Sequence, residues 1–311
     1  MAGPDVSGTI EMNCPLISIG MPVYNSDRFL KDAIKSVLRQ TCQNFELIIT
    51  DDGSTDDSAK IIESFTDKRI KFLRGERNLG ISSRINQQVN IASGKFFVRM
   101  DADDIMFPNR IEEQFLFLKD NPKIDVVGSQ AIVIDDDNQI IGYRECTNAF
   151  DERSILKKNV FIHPSVMGKT EWFKKNRYNS AYDGVEDYHL WVKAFGQSHF
   201  QIMDKPLLFY RDSTKLRFKT YMHRQRQLIK AYADFRKERI ISTWSYLRLS
   251  SLTVLKIMAY IVFYVTGNAS KLIKNRHRTL TDEECLISNQ VLRNVMNKNL
   301  TKNFNYSARK L

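Results

Sequence analysis

The chain has 311 residues, 42% apolar and 27% charged, enough for a real core in one large domain or in one domain with an appendage. Its net charge of +11 is uneven: residues 201–311 carry 22 Lys/Arg against 7 Asp/Glu, or +15, and the first 200 carry 25 against 29, or −4. A slightly acidic body with a strongly basic C-terminal third points to a polyanionic partner, either nucleic acid or an anionic membrane leaflet. Cys14, Cys42, Cys146 and Cys285 are scattered without C-x-x-C spacing, which argues against zinc and against a disulfide framework. Residues 1–13 lack the apolar run of a secretory signal, so a reducing, cytoplasmic setting is expected.

Residues 16–21 read as a strand, followed by a Pro22-Val23-Tyr24-Asn25 turn. Ser26 is an N-cap candidate for a helix carrying Phe29, Leu30, Ala33, Ile34, Val37 and Leu38 at helical spacing. A second apolar strand, 45–50, ends in Asp51-Asp52-Gly53-Ser54-Thr55-Asp56-Asp57, where Ser54 and Asp57 have capping-box spacing. A third strand covers 70–73, and a loop with Asn78-Leu79-Gly80 leads into a helix over 82–92. The next strand, 95–100, stops at Asp101-Ala102-Asp103-Asp104. In extended chain Asp101 and Asp103 point the same way, and their mutual repulsion would be relieved by a hard divalent cation with oxygen ligands. The alternative is a solvated loop with N-cap chemistry before Phe107-Pro108.

Strands alternating with helices predict a doubly wound, mostly parallel α/β sheet, with ligands outside the carboxyl ends of the strands. Three of those ends carry Pro22/Tyr24/Asn25, Asp51/Asp52 and Asp101/Asp103. No G-x-G-x-x-G follows the first strand and no P-loop is present, which argues against dinucleotide and P-loop folds.

Downstream, a helix over 110–118 precedes a strand over 124–134, a solvated Asp135-Asp136-Asp137-Asn138 turn and a strand over 139–143. Residues 151–158 read as helical, His163-Pro164-Ser165-Val166-Met167 as extended because His163 precedes a proline, and 184–195 as an amphipathic helix. A strand over 201–211 follows. From Phe218 the pattern is long, helical and basic, and residues 252–265 are apolar but broken by Lys256. That run is too short for a confident span, which takes roughly 20 apolar residues. With flanking Lys271, Lys274, Arg276 and Arg278 it fits a helix in a membrane interface; the alternative is packing back on the body. The tail beyond Thr301 is expected to fray.

Taken together, the Pro22–Asn25 turn, Asp51-Asp52-Gly53-Ser54-Thr55-Asp56, Asn78-Leu79-Gly80, Asp101-Ala102-Asp103-Asp104 and Glu186-Asp187 resemble the family 2 inverting glycosyltransferases of GT-A fold. The resemblance covers roughly 16–211, and the basic, apolar C-terminal region looks like bacterial members that build surface polysaccharides on lipid carriers. It implies a catalytic domain over 15–214, with a donor half (15–105) and an acceptor half (106–214). A tail (1–14) precedes it and a helical, membrane-associating region (215–311) follows.

The resemblance also implies roles. Tyr24 and Asp52 border the base, with a carboxylate accepting from a uracil NH; Asp51 lies near the same pocket, and Pro22 and Asn25 belong to the donor site. Asn78 and Gly80 pass close to the nucleotide, and Arg84 and Arg211 approach its phosphates. Asp101 and Ala102 lie by the ribose and metal, and Asp103 ligates Mn²⁺ or Mg²⁺, with Asp101 beside it. Asp187 is the general base, and Glu186, Trp191 and His163 are acceptor contacts, although Trp191 and His163 equally suit a core. Many relatives place a metal-ligating His shortly after the Arg; here Asp212-Ser213-Thr214-Lys215 follows Arg211.

The expected activity is therefore metal-dependent transfer from a UDP-sugar to a lipid-linked saccharide, at the cytoplasmic face of an anionic membrane. A glycoside hydrolase would not need a D-x-D at the end of such a sheet. A nucleotidyltransferase would want a Gly-rich N-terminal loop with a basic residue, which is missing. Nucleic acid is disfavoured as partner because the basic helices lack interleaved aromatic platforms and zinc-finger spacing.

Overall fold

The computed structural model describes residues 16–148, 150–157, 160–212, 218–267 and 277–296. Cys14, Lys215, Lys271, Lys274, Arg276 and the stretch beyond Thr301 lie outside them.

The N-terminal half is built from β1 (Ile17–Val23), α1 (Asp27–Leu38), β2 (Phe45–Asp51), α2 (Ser58–Glu63), β3 (Ile70–Arg74), α3 (Ile81–Ile91) and β4 (Phe96–Arg99). β1, β2 and β4 are apolar and buried almost throughout, as expected of parallel strands covered on both faces. The four strands are parallel in the order β3-β2-β1-β4. Register decides the rest. Val23 pairs Asp51 and Gly20 pairs Arg99, so the turn after β1, the carboxylates after β2 and the D-x-D after β4 emerge along one edge.

The second half comprises β5 (Ile105–Met106), α4 (Arg110–Asp120), β6 (Val126–Ile134), β7 (Ile140–Arg144), the short α5 (Glu152–Ile155), β8 (Met167–Lys169), α6 (Thr170–Lys175), α7 (Glu186–Ala194) and β9 (Phe200–Arg211). The sheet continues past β4 as β8-β6-β9-β5, with β7 also on β6. Here only β6–β9 is parallel; β4–β8, β6–β8, β5–β9 and β6–β7 are antiparallel. The sheet is thus parallel in its first half and mixed in its second. Pairing of Ile105 with Phe209 ties down the chain after the D-x-D and brings Arg211 beside it.

Three helices follow: α8 (Phe218–Lys237), α9 (Thr243–Val265) and α10 (Asp282–Met296). α8 packs Ala231, Tyr232 and Phe235 into the core formed with α7. α10, which the sequence reading did not separate out, seats Val291, Leu292 and Val295 on Ile132, Tyr143 and Phe209. The C-terminal region therefore completes the body as well as extending from it.

Local expectations change at three places. The Ser54–Asp57 capping box does not form: Ser54 Oγ accepts the Asn25 N–H at 3.0 Å, and Asp57, at the N-cap of α2, makes no capping bond and accepts instead from Lys60 at 2.6 Å. Cross-strand stitching has taken the hydroxyl that local capping would use. His163–Ser165 is a 3₁₀ turn rather than extended, with the Ser165 N–H closing onto the Ile162 carbonyl at 2.8 Å. Cys42 is disulfide-bonded, so the scattered cysteines are not all thiols, while Cys146 and Cys285 are outside any disulfide.

Candidate active site

A cleft of about 470 Å³ opens along the carboxyl edge of the parallel strands. Of the residues singled out from sequence, Pro22, Tyr24, Asp52, Asn78, Gly80, Asp101, Ala102 and Asp103 line it, together with Asp183. The ring of Tyr24 is 48% exposed at the mouth, placed to stack on a planar group. Its turn is fixed from the β2 side: the Asn25 side chain, held at φ 48°, accepts the Thr55 N–H at 2.8 Å, and the Asp27 N–H donates to Asp56 at 3.0 Å. Asn25 is thus a staple beneath the cleft rather than part of its wall.

Asp52 shapes the opposite wall. It accepts the Leu79 and Gly80 N–H groups at 2.7 and 2.9 Å and the Arg84 Nε–H at 2.6 Å. Gly80 can take that place because its φ of +82° lies in the left-handed region that costs glycine least. Arg84 is buried, and its remaining donors go to Gln87 at 3.0 Å and the Arg77 carbonyl at 2.9 Å. It therefore holds the loop and does not line the cleft, contrary to the expected phosphate contact. Asp51 is likewise buried, accepting the Ser54 N–H at 3.1 Å, and does not reach the cleft.

Asp101, Asp103 and Asp104 each bring an oxygen within 4.8 Å of the others. Burial first, then Asp101, push the Asp103 carboxyl up to about 6. Asp104 is buried; one oxygen accepts the Arg211 N–H at 2.7 Å and the other has no hydrogen-bond partner among the described residues. Burial and the adjacent carboxylates hold it well above the usual range. Three crowded carboxyl groups and an orphaned oxygen suit a hard divalent cation with oxygen ligands.

Two buried arginines underlie this cluster, and neither was singled out from sequence. Arg99 is ion-paired with Asp101; burial depresses its guanidinium, but Asp101 outweighs that and keeps it charged. Arg110 donates to the carbonyls of Arg99 and Val166 and to Gln114. The signal was available, since Arg99 is a cation inside an apolar strand two residues before a carboxylate. Arg211 donates to the Asp103 carbonyl at 2.8 Å, to the Asp135 carbonyl and to Asn138 at 2.6 Å. It braces the backbone of the carboxylate loop and does not line the cleft. Asp212, where relatives approach their histidine, meets His277 Nε2 at 3.1 Å.

Gly184 turns the chain with φ +79° into α7, placing Glu186 and Asp187 in its first turn. Glu186 is buried and its Oε2 has no hydrogen-bond partner among the described residues. Burial first, then Asp187, push its carboxyl up to about 7, with Arg99 pulling the other way. Asp187 is half-buried and accepts the Tyr188 N–H at 2.7 Å. Trp191 is 1% exposed, packed against Phe161, Phe200 and Trp172. It is core and cannot floor an acceptor sugar. His163 is also enclosed, its Nε2 2.9 Å from the Tyr178 hydroxyl, and burial keeps it neutral; it belongs to the same packed layer.

Comparison with known proteins agrees with this arrangement. The family model for glycosyl transferase family 2 matches residues 18–178. A glycosyltransferase of Methanocaldococcus jannaschii is 36% identical over 209 residues, which cover 65% of this chain and 72% of its own. The UDP-Glc:alpha-D-GlcNAc-diphosphoundecaprenol beta-1,3-glucosyltransferase WfgD of Escherichia coli is 32% identical over 190 residues, 61% of this chain and 73% of its own. The crystal structure of S. aureus TarS 1–349 in complex with UDP-GlcNAc shares the fold, with a TM-score of 0.55 at 18% identity over 76% of this chain and 71% of that one. With the family model spanning more than half the chain, the protein belongs to glycosyl transferase family 2.

Proposed function

We propose that the protein is a metal-dependent inverting glycosyltransferase. It moves a sugar from a UDP-linked donor to a hydroxyl of a lipid-linked saccharide in surface-polysaccharide synthesis, peripherally on the cytoplasmic face of the membrane. The observation that carries this reading is the single cleft in which Tyr24, the Asp52-held loop and the D-x-D face one another, with Asp183 on its rim three residues before Glu186. The likeness to WfgD, named for a UDP-glucose donor and a diphosphoundecaprenol-linked acceptor, supports the donor and acceptor classes.

Tyr24 stacks on the base, and Gly80 and Asn78 give the nucleotide a close backbone wall. Asp103 and Asp101 would hold Mn²⁺ or Mg²⁺, which when bound neutralises charge on the departing nucleoside diphosphate. Asp187 takes the proton from the acceptor hydroxyl as its oxygen attacks the anomeric carbon opposite the leaving group. One displacement inverts that carbon and gives a β-glycoside from an α-linked donor. Glu186, protonated over more of the neutral range than an ordinary carboxylic acid, lies beside the base without competing for that proton.

The test is a panel of nucleotide sugars with a lipid-diphosphate-linked acceptor, with and without EDTA. Asp187→Asn is expected to lower kcat by about 10²–10⁴-fold, with Asp103→Ala and EDTA each abolishing transfer. Full activity in EDTA sinks the metal role, and wild-type turnover by Asp187→Asn sinks the base.

A further inference from the structure

We infer that one stripe of α9 is a bilayer-contact surface, and that α9 lies flat in the interface of an anionic membrane rather than crossing it. The inference deepens the peripheral, lipid-acceptor reading above and rests on it for the choice of a lipid surface. α9 has 23 residues and is long and apolar enough to cross a membrane by composition, at about 1.5 Å per residue. Among the described residues its apolar side chains are nevertheless left largely outside the body, most of all along one stripe, with Leu247, Leu252, Val254, Ile261 and Tyr264 39–49% exposed beside it. Trp244, Leu255, Met258, Val262 and Val265 are 79, 59, 58, 60 and 78% exposed. With Arg248 and Ser251 they recur at alternating spacings of four and three, which is one helix face.

The opposite face is occupied by α8 along nearly its whole length. Phe218 meets Tyr264 with ring centroids 4.7 Å apart, and Tyr221 stacks on Tyr260 at 3.8 Å. At the other end the Arg236 guanidinium lies 5.1 Å from the Tyr246 ring. The two helices are therefore an antiparallel pair, and α8 carries Lys219, Arg224, Arg226, Lys230, Arg236 and Lys237. A spanning α9 would drag those cations into hydrocarbon, where charged side chains are costly and need partners. Lying flat, α9 immerses only its outer stripe and leaves the cations at headgroup level.

Charge selects the lipid. Residues 218–265 hold 9 Lys/Arg against 2 Asp/Glu, and both acids, Asp234 and Glu238, are already paired with His189 and Lys193. The pair of helices is also bolted to the acceptor rim of the cleft: His223 Nε2 is 3.2 Å from Asp183, and Lys230 donates to the Ala181 carbonyl at 2.9 Å. A surface held there presents the cleft to a hydroxyl carried on a membrane lipid.

The test uses the full chain and vesicles of phosphatidylcholine with or without about 30% phosphatidylglycerol. Salt-sensitive binding to the anionic vesicles alone is expected, and Leu255→Glu with Val262→Glu, both at exposed positions, should cut partitioning at least about tenfold with unchanged circular dichroism. Depth is read by brominated-lipid quenching of Trp244, the one exposed tryptophan, and of Val265→Trp in a Trp244→Phe background. Shallow quenching at both ends supports the flat helix. Deep or opposite-leaflet quenching at one end overturns it. Binding that ignores the stripe variants, or a stripe variant that only breaks self-association, overturns the lipid surface. Donor turnover with a water-soluble acceptor is followed in parallel: if wild type transfers no sugar while the vesicle results hold, the functional reading fails and the surface stands.

Discussion

Glu186→Gln offers a stability experiment on the acceptor side of the site that does not depend on substrate. The wild-type carboxyl is 6% exposed, has an unpartnered oxygen and adjoins Asp187. Its pKa rises from 4.5 to about 7, so the folded state binds this proton more tightly than the unfolded chain. A raised carboxyl stabilises the fold fully below the unfolded pKa, and that stabilisation is lost as pH climbs through the folded pKa. Integrated between about pH 5 and pH 8, a shift of this size removes about 2.5 kcal/mol from the wild type. Glutamine is neutral throughout and escapes the loss. The variant's stability relative to wild type should therefore improve by about 2–3 kcal/mol across that interval, or about 3–5 °C in Tm. Parallel denaturant melts at the two pH values read it directly. A stability difference that is the same at both pH values would refute the buried, proton-holding Glu186.

Trp191→Ala should cost about 3–5 kcal/mol of stability, seen in denaturant melts, while Trp191→Phe keeps most of it. An unchanged acceptor KM in Trp191→Phe separates the core role from sugar contact. Arg84→Met leaves the buried Asp52 carboxylate without its ion pair and should destabilise by about 3–5 kcal/mol. Because the Asn78–Gly80 wall hangs on that carboxylate, its donor KM should rise more than its kcat falls. A lowered kcat with unchanged donor KM would restore Arg84 to a chemical role.

Much of the cleft was legible because it is local. An apolar strand that ends in carboxylates announces itself in four residues, and the parallel order of β1, β2 and β4 follows from strands alternating with helices. Pro22, Tyr24, Asp52, Asn78, Gly80 and the D-x-D accordingly line one cleft. Arg84 and Arg211 were misplaced because a buried cation goes to the nearest buried carboxylate or carbonyl, and which one that is depends on loops far away in sequence. Asp52 lies 32 positions from Arg84, and the Asp103 carbonyl 108 from Arg211.

The same division holds for the C-terminal third. Composition alone determined that it is basic, apolar and helical. Only packing decided that α10 covers the sheet, that α8 completes the core around α7 and that α9 is left with a bare apolar stripe. Hydrophobic periodicity says that a helix has an apolar face; it does not say what covers that face, because the partner is chosen by shape and charge in three dimensions. The chemistry of the site was written into short segments. The role of each charge within it was assigned by its neighbours in the fold.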